Sequence, residues 1–463
     1  MLSRIAKSIV PRYPVAPSSI FTRTMASVAQ QQPHANGSAE KKAAAPAPSV
    51  TPEQIAIVKA TAPVLKEHGV TITSLFYKNM LDAHPELRNI FSMSSQATGR
   101  QPRALAASVL AYATYIDDLP KLQHAVERIA HKHVSLTVQP EHYPIVGKYL
   151  MEAIGAVLGD AATPEIVDAW TNAYGVLANV FIGLEGSMYK AHEKWTGWRK
   201  FKIAKRVKEA DNIESFYLAP VDGVPLPTYL PGQYISLQVK VPELGHFQSR
   251  QYSLSQAPRK EGDYYRISVK REEGATASDV PGLISNMLHR DLKEGDVVEL
   301  THPQGEFFVD PADAAKAGAP LVLISGGVGA TPIMSILDTM TQPGVASQRP
   351  ISWLHASRSK QLQPFAAAVR SIRDANSSRV SSRVFLNSVA EGDVAGTDYD
   401  FGGLGMDLSK VDKAKDLFVD NTKAEYYLCG PEQFMIDIRQ ELENMGVEKE
   451  RTHLELFATG DIQ

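Results

Sequence analysis

The spacing of apolar residues changes twice along the chain, and this divides it into three separate folding problems. Between Thr51 and about Lys194, Ala, Leu, Val and Ile recur at three-to-four spacing. The run is broken at His84-Pro85, Leu119-Pro120, Gln139-Pro140 and Thr163-Pro164. That pattern predicts several amphipathic helices and no sheet. After Trp198, apolar and polar residues alternate in Phe201-Lys202-Ile203-Ala204, Gln233 to Val239 and Tyr265 to Lys270, with Pro and Gly turns between them. Short alternating runs bounded by turns predict an antiparallel barrel over about 200–310. Further on, Leu321-Val322-Leu323-Ile324, Ile351 to His355 and Tyr426 to Cys429 read as buried parallel strands with helical stretches between them. A chain of 463 residues exceeds what one core supports. The expected architecture is therefore multidomain: 1–49 leader and linker, 50–195 all-α, 196–312 antiparallel β-barrel, 313–463 α/β nucleotide-binding.

The helical part has a defined start. Thr51 can cap, Pro52 suits the first helical position, and Gln54 stands where a capping box needs it. Upstream, Met1 to Ala39 holds no Asp or Glu, while Arg4, Lys7, Arg12 and Arg23 punctuate a Ser/Ala-rich stretch. Leu2, Ile5, Ile9 and Val10 fall near helical spacing. This composition predicts a mitochondrial presequence rather than a secretory signal, and a start at Met25 would give a cytosolic form. Gln30 to Val50 reads as a flexible Pro/Ala/Gln/Ser linker.

Composition narrows the chemistry. The single Cys429 permits no internal disulfide and no cysteine-ligated zinc or iron–sulfur site, so a redox metal must be held otherwise. The net charge of −3 and the absence of a basic run interleaved with aromatics argue against nucleic acid. No apolar run is long enough to span a bilayer.

Gly326-Gly327-Val328-Gly329 follows a predicted strand and precedes Ala330-Thr331-Pro332 at a helix start, where the helix N-terminus favours pyrophosphate. Cys429-Gly430-Pro431 follows another strand. Two glycine turns at the carboxyl ends of parallel strands mark where an open α/β sheet binds its ligand. Arg250-Gln251-Tyr252-Ser253 sets a cation, an aromatic plane and a hydroxyl on one strand, a set suited to a flavin. Pro231-Gly232-Gln233-Tyr234 lies upstream of it, and Gly282-Leu283-Ile284-Ser285-Asn286 downstream. The basic Ser357-Arg358-Ser359-Lys360 loop reads either as a 2′-phosphate site or as a solvated turn. Both readings stand, so NADH and NADPH remain open. Read alone, Cys429 is equally a small buried hydrophobe.

These reductase motifs resemble the ferredoxin-reductase-like superfamily, in which an FAD barrel precedes an NAD(P)H domain. The resemblance implies that Ile284, Ser285 and Asn286 cap the flavin phosphates. It also implies that Cys429 lies near the nicotinamide and that Glu455, Leu456 and Phe457 lie by the flavin. In the helical part, His131 and His133 stand in Ile129-Ala130-His131-Lys132-His133-Val134, with Tyr77, Phe91, Gln101 and Leu105 available to line a pocket. From about Val50 to Gln463 the chain resembles the flavohaemoglobins, the nitric oxide dioxygenases. The supporting strings are Ile90-Phe91-Ser92-Met93-Ser94, Tyr174 to Phe181, Val269-Lys270-Arg271-Glu272-Glu273-Gly274 and Tyr427 to Pro431.

The resemblance makes the helical part a globin and implies haem b, FAD and NAD(P)H as cofactors. His133 is then the iron ligand and His131 is not. Tyr77 and Gln101 are distal groups, Leu105 an apolar gate, and Phe91 and Lys132 cofactor contacts. Tyr143 and Glu185 form a proximal relay that raises the electron donation of His133. The implied substrates are nitric oxide and O2, the implied role detoxification by a monomer. The Gly274–Pro281 segment looks longer than in bacterial relatives. Two rival readings are a haem-linked reductase acting on hydroperoxides or free iron, and an oxygen-storing or oxygen-sensing globin. The second gives no use for the flavin and nicotinamide motifs.

Overall fold

The computed structural model describes residues 49–274, 281–345, 347–403 and 405–457. The leader and most of the 274–281 segment lie outside the described residues. The first domain opens on α1 (Pro52–Ala60). Its N-cap Thr51 accepts from the Gln54 amide while the Gln54 side chain reaches back, the predicted capping box. There follow α2 (Ala62–Ala83), α3 (Met93–Ala97), α4 (Arg100–Tyr115), α5 (Gln123–Ser135), α6 (His142–Leu158) and α7 (Pro164–Ala191). Four of the six breaks fall at the predicted prolines, which cannot continue a helix, and the other two fall at Thr61 and at Thr98-Gly99.

This domain buries two apolar clusters. One gathers Ile72, Phe76, Tyr77, Met80, Tyr112 and Trp170 around α2 and α4. The other gathers Val126, Ala130, Val134, Tyr143, Phe181 and Leu184 from α5, α6 and α7.

The second domain is a six-stranded antiparallel sheet in the order β4-β3-β6-β1-β2-β5. Its strands are β1 (Arg199–Ala210), β2 (Ile213–Pro220), β3 (Tyr234–Val241), β4 (His246–Ser253), β5 (Tyr265–Lys270) and β6 (Val297–Leu300). The edges meet where Leu254 bridges Ile267 and the Ser255 amide donates to Arg266 O at 2.9 Å. That contact rolls the sheet into the predicted barrel. The helix α8 (Leu283–Arg290) packs Ile284 and Leu288 into the barrel core.

The third domain is a parallel sheet in the order β10-β9-β8-β7-β11-β12. Its strands are β7 (Leu321–Gly326), β8 (Ile351–Ser357), β9 (Val380–Leu386), β10 (Phe401–Gly402), β11 (Glu425–Cys429) and β12 (Thr452–Glu455). Cores cover both faces. Helices α9 (Ala330–Met340), α10 (Ala366–Ala375) and α11 (Glu432–Asn444) connect the strands. All-helical, antiparallel-barrel and parallel α/β parts thus follow one another in the expected order. Among the described residues, no helix is long and apolar enough to cross a membrane.

Barrel and nucleotide domain are bonded directly. The Ala257 amide donates to Asp338 Oδ2 at 2.8 Å, Ser335 Oγ to Gln256 O at 2.7 Å, and Tyr427 Oη to Phe308 O at 3.1 Å. The helical domain rests on β4 and on the segment after β6.

Candidate functional site

The site is built from three segments that meet at one junction. In the helical domain, α7 presents Tyr174, Ala178, Phe181, Glu185 and Met188 at three-to-four spacing, so all lie on one buried face. Opposite stands His133 on α5. Its Nδ1 lies 2.8 Å from Glu185 Oε1 and 3.2 Å from Tyr143 Oη, and Tyr143 Oη donates to the same Glu185 oxygen at 2.7 Å. Tyr174 Oη holds the Tyr143 carbonyl at 2.6 Å, and the Phe181 ring stacks on Tyr143 at 6.4 Å. Burial, then the neighbouring Glu185 carboxylate, drives the Tyr143 phenol far above its ordinary pKa, so it stays a proton donor.

With Nδ1 engaged, Nε2 of His133 makes no hydrogen bond, and the side chain is 32% exposed while that of Glu185 is 3%. An imidazole oriented through one nitrogen by a buried carboxylate, with the other free, has the chemistry of a metal ligand. His131 lies two residues away and faces the barrel instead.

Elsewhere in the helical domain, Phe91 packs edge-on to Tyr77 with centroids 5.5 Å apart. Tyr77 is buried and bonded to Gln101, and burial raises its phenol pKa well above the usual range. The Gln101 amide oxygen accepts from Gln96 Nε2 at 3.2 Å, a partner that sequence reasoning missed. Leu105 and Phe91 are half-buried on the apolar cluster beside Tyr77. A histidine with one ring nitrogen unengaged, together with these apolar and hydrogen-bonding side chains of the same helical domain, fits a haem.

In the barrel, Tyr234 opens β3 in register with Ser253, which ends β4. Ser253 Oγ is buried without a partner, an atom awaiting a ligand. Tyr252 is half-buried against the barrel core. Gln251 Nε2 donates to Ser236 Oγ at 3.1 Å, and Arg250 reaches Ser94 Oγ of the helical domain at 2.5 Å. The orphan hydroxyl, Tyr252, Tyr234 and Arg250 on adjacent strands fit a flavin.

The next segment carries Ile284, Ser285 and Asn286 at the start of α8. The Ile284 side chain is core, Ser285 Oγ donates to Gly282 O, and Asn286 Nδ2 donates to the Glu272 and Gly282 carbonyls at 2.7 Å. These side chains fasten the start of α8. Its first backbone amides, which have no acceptor within the helix, are available to a phosphate. A Cβ on Gly282 would stand 2.6 Å from Ser285 Oγ and 2.9 Å from Glu272 Cβ, so a larger residue there would push these side chains aside.

In the nucleotide domain, Gly326 ends β7, Gly327-Val328-Gly329 forms a 3-10 turn, and α9 starts at Ala330. Thr331 Oγ1 donates to Val328 O at 3.0 Å, and Thr331 and Pro332 are buried. A Cβ on Gly329 would lie 2.1 Å from the Cys429 carbonyl oxygen, so the turns after β7 and β11 touch only because one lacks a side chain. Gly430 and Pro431 then lead into α11. The two turns pressed together before a helix N-terminus fit a dinucleotide. The Cys429 thiol is wholly buried, and burial followed by the Glu455 charge raises its pKa well above normal. In the basic loop, Lys360 is bound to Asp398 at 2.7 Å, which leaves Arg358 as the exposed cation.

The junction collects charges that no local pattern revealed. Lys132 and Glu455 are both partly buried. Burial raises the Glu455 pKa, Glu306 adds to that, and Arg128 and Lys132 oppose it. Burial lowers the Lys132 pKa against the pull of Glu455. Arg128 Nε stands 3.8 Å from Glu306 Oε1. Leu456 follows β12 half-buried, and Phe457 is exposed. Helix α5, the barrel and the last strand of the nucleotide domain thus meet beside His133, Tyr234 and Cys429.

Three family models match in order: Globin over 74–181, Oxidoreductase FAD-binding domain over 201–309 and Oxidoreductase NAD-binding domain over 323–440. The Bordetella pertussis flavohemoprotein is 47% identical over 417 residues, covering 89% of this chain and 100% of that one. The Deinococcus radiodurans flavohemoprotein is 46% identical over 412 residues, covering 88% and 97%. A crystal structure of a flavohemoglobin from Malassezia yamatoensis, with bound FAD and heme, superposes with a TM-score of 0.75. It shares 29% identity and covers 88% of this chain and 100% of that one.

Proposed function

The chain belongs to the flavohaemoprotein family, and on that premise we propose that it is an NAD(P)H-driven nitric oxide dioxygenase that turns nitric oxide and O2 into nitrate. The observation that carries the reading is the buried Glu185 carboxylate on Nδ1 of His133, in the same chain as a flavin and nicotinamide reductase. Storage of oxygen needs no electron supply, whereas repeated turnover does.

When bound, NAD(P)H supplies a hydride, FAD parts it into single electrons, and haem offers the iron where nitric oxide and O2 react. The polypeptide prepares each place. His133 would hold the iron through Nε2, and Glu185, accepting hydrogen bonds from Nδ1–H and the Tyr143 hydroxyl, would make that ring a stronger electron donor. Tyr77 and Gln101 offer hydrogen bonds on the distal face, where Gln96 fixes the Gln101 amide. Leu105 and Phe91 keep that side apolar. Tyr234, Arg250, Gln251, Tyr252 and Ser253, with the first amides of α8, hold the flavin. The Gly326–Pro332 and Cys429–Pro431 turns hold the nicotinamide dinucleotide, with Glu455, Leu456 and Phe457 closing the flavin side. Lys132 and Glu455 set the charge where electrons pass between domains.

Both redox partners lie on one chain, so a monomer suffices. The physiological role is nitric oxide detoxification. The acid-free leader sends the longer form to the mitochondrion, and a Met25 start leaves the protein in the cytosol. A fluorescent fusion of residues 1–50 that stays diffuse would end that assignment. For the enzyme, nitrate formed per NAD(P)H consumed under oxygen and nitric oxide decides. Stoichiometric nitrate is expected. NAD(P)H oxidation without nitrate would favour a hydroperoxide or iron acceptor.

A further inference from the structure

Successive residues on a helix are about 100° apart, so His131 and His133 leave α5 on nearly opposite sides. His133 is tied to α7 through Glu185. His131 is tied to the barrel: its Nδ1 lies 2.7 Å from the Gln304 amide and accepts from the Gly305 N–H at 3.3 Å. Gln304 is only 1% exposed and stands 173 residues from His131 in sequence.

Every polar group of Gln304 is engaged. Its backbone pairs with Tyr234 in both directions, Gln304 N to Tyr234 O at 2.8 Å and Tyr234 N to Gln304 O at 2.9 Å. The far end of its amide lies 3.4 Å from Nδ1 of His302. His302 is itself buried and meets the His192 ring edge-on at 4.1 Å. The amide oxygen Oε1 of Gln304 faces His131 Nδ1 and the amide nitrogen Nε2 faces His302 Nδ1, the direction of each bond being set by the tautomer of the ring it meets.

A second bond runs parallel one helical turn on, where Thr301 Oγ1 donates to Ser135 O at 3.0 Å and accepts from the Ser236 amide at 3.3 Å. Helix α5 is thus pinned on one face by Glu185 and on the other by segment 301–305. That segment is bonded in turn to the flavin-facing start of β3.

We infer that Gln304 is a positioning residue for electron passage between the domains: through His131 and Tyr234 it fixes the iron-ligand helix against the flavin face. The inference rests on the reading of His133 and Tyr234 as haem and flavin contacts. The interaction is local to the junction. Neither flavin reduction by NADH nor haem retention depends on it.

The test uses the full-length holoprotein, reduced anaerobically with NADH in a stopped-flow instrument, with flavin and haem absorbance followed separately. In Gln304→Met, flavin reduction should keep its rate. Haem reduction should slow by about tenfold or more, within the ~10²-fold that a misplacement of about 1 Å costs a reaction. His131→Leu should do the same and add nothing in the double variant, because one contact has been removed twice. His131→Gln retains an amide that bonds Gln304, and should stay near the parent rate. Hydrogen exchange on the same proteins, independent of turnover, should quicken in 301–305 and α5 of the two slowed variants and stay unchanged in α7. Haem reduction at the parent rate in His131→Leu, or exchange unchanged in 301–305, overturns the inference, and either can be read even if Gln304→Met does not fold. A parent protein whose flavin is reduced while its haem is not overturns the functional reading itself, and with it this inference.

Discussion

Glu185 Oε1 receives two hydrogen bonds at once, from His133 Nδ1 at 2.8 Å and from the Tyr143 hydroxyl at 2.7 Å, in a pocket where the carboxylate side chain is 3% exposed. Taking a carboxylate out of water is costly unless its lone pairs are filled, and here both donors come from the proximal wall. The arrangement therefore orients the imidazole and loads it with electron density. Glu185→Gln keeps the shape and removes the charge. Nitric oxide turnover should fall by about 10–100-fold, the usual effect of losing an outer-shell partner, while the haem absorbance stays at parent stoichiometry. Parent-level turnover would remove the relay role.

How far the sequence revealed this can be judged residue by residue. Only the family strings separate His133 from His131, since both stand in the same six residues of α5. The two glycine turns and the four-residue flavin strand are local motifs, legible because backbone approach and a strand period demand particular residues in sequence. Gln304, Gln248, Gln96 and Glu306 left no such trace. Gln248, almost wholly buried, accepts from the Met93 amide at 2.9 Å and donates to Arg88 O at 2.9 Å, with partners at least 155 residues away. A polar residue in a strand or loop carries no local sign of a distant partner. The edge strand β12 was missed for a related reason: its four residues are all partly buried, so no alternation marks it. The helix start that carries Ser285 and Asn286 left no sign in the sequence, and neither did the bonds by which their side chains fasten it.

A second prediction concerns the nucleotide turn. The Cβ of Gly329→Ala would lie 2.1 Å from the Cys429 carbonyl oxygen, against backbone that cannot swing aside. Overpacking of this kind costs about 1–3 kcal/mol, and relief requires the β7 and β11 turns to part. Thermal stability should drop, and flavin reduction by NAD(P)H should slow with a raised half-saturation. Haem binding should not change. Parent-like flavin reduction would show that the close approach of the turns is dispensable.

Cys429 should be inert. Burial and the Glu455 charge hold its thiol far above the ordinary pKa, so the reactive thiolate is scarce at neutral pH. Titration of the native protein with a thiol reagent should find almost no reaction, and one equivalent should appear after denaturation. Rapid native labelling would mean that the β11 turn opens in solution.

The buried histidines predict acid sensitivity of a stated sign. His355 lies wholly within the nucleotide domain, its Nδ1 2.8 Å from Ser325 Oγ and its Nε2 without a partner; burial pulls its pKa from 6.5 down to about 4. His302 is pulled from 6.5 to about 3 by burial and then by the nearby His192. Below pH 6.5 the unfolded chain takes up protons at these sites that the folded chain refuses, so stability is intact above 6.5 and lost as pH falls toward 4 and 3. Each histidine steepens that loss by at most about 1.4 kcal/mol per pH unit. The urea midpoint should therefore fall between pH 7 and pH 5. His355→Asn, neutral and still able to bond Ser325, should start from a lower midpoint and fall less across the same interval. A variant that loses as much as the parent over that range would show that His355 is not the group taking up the proton.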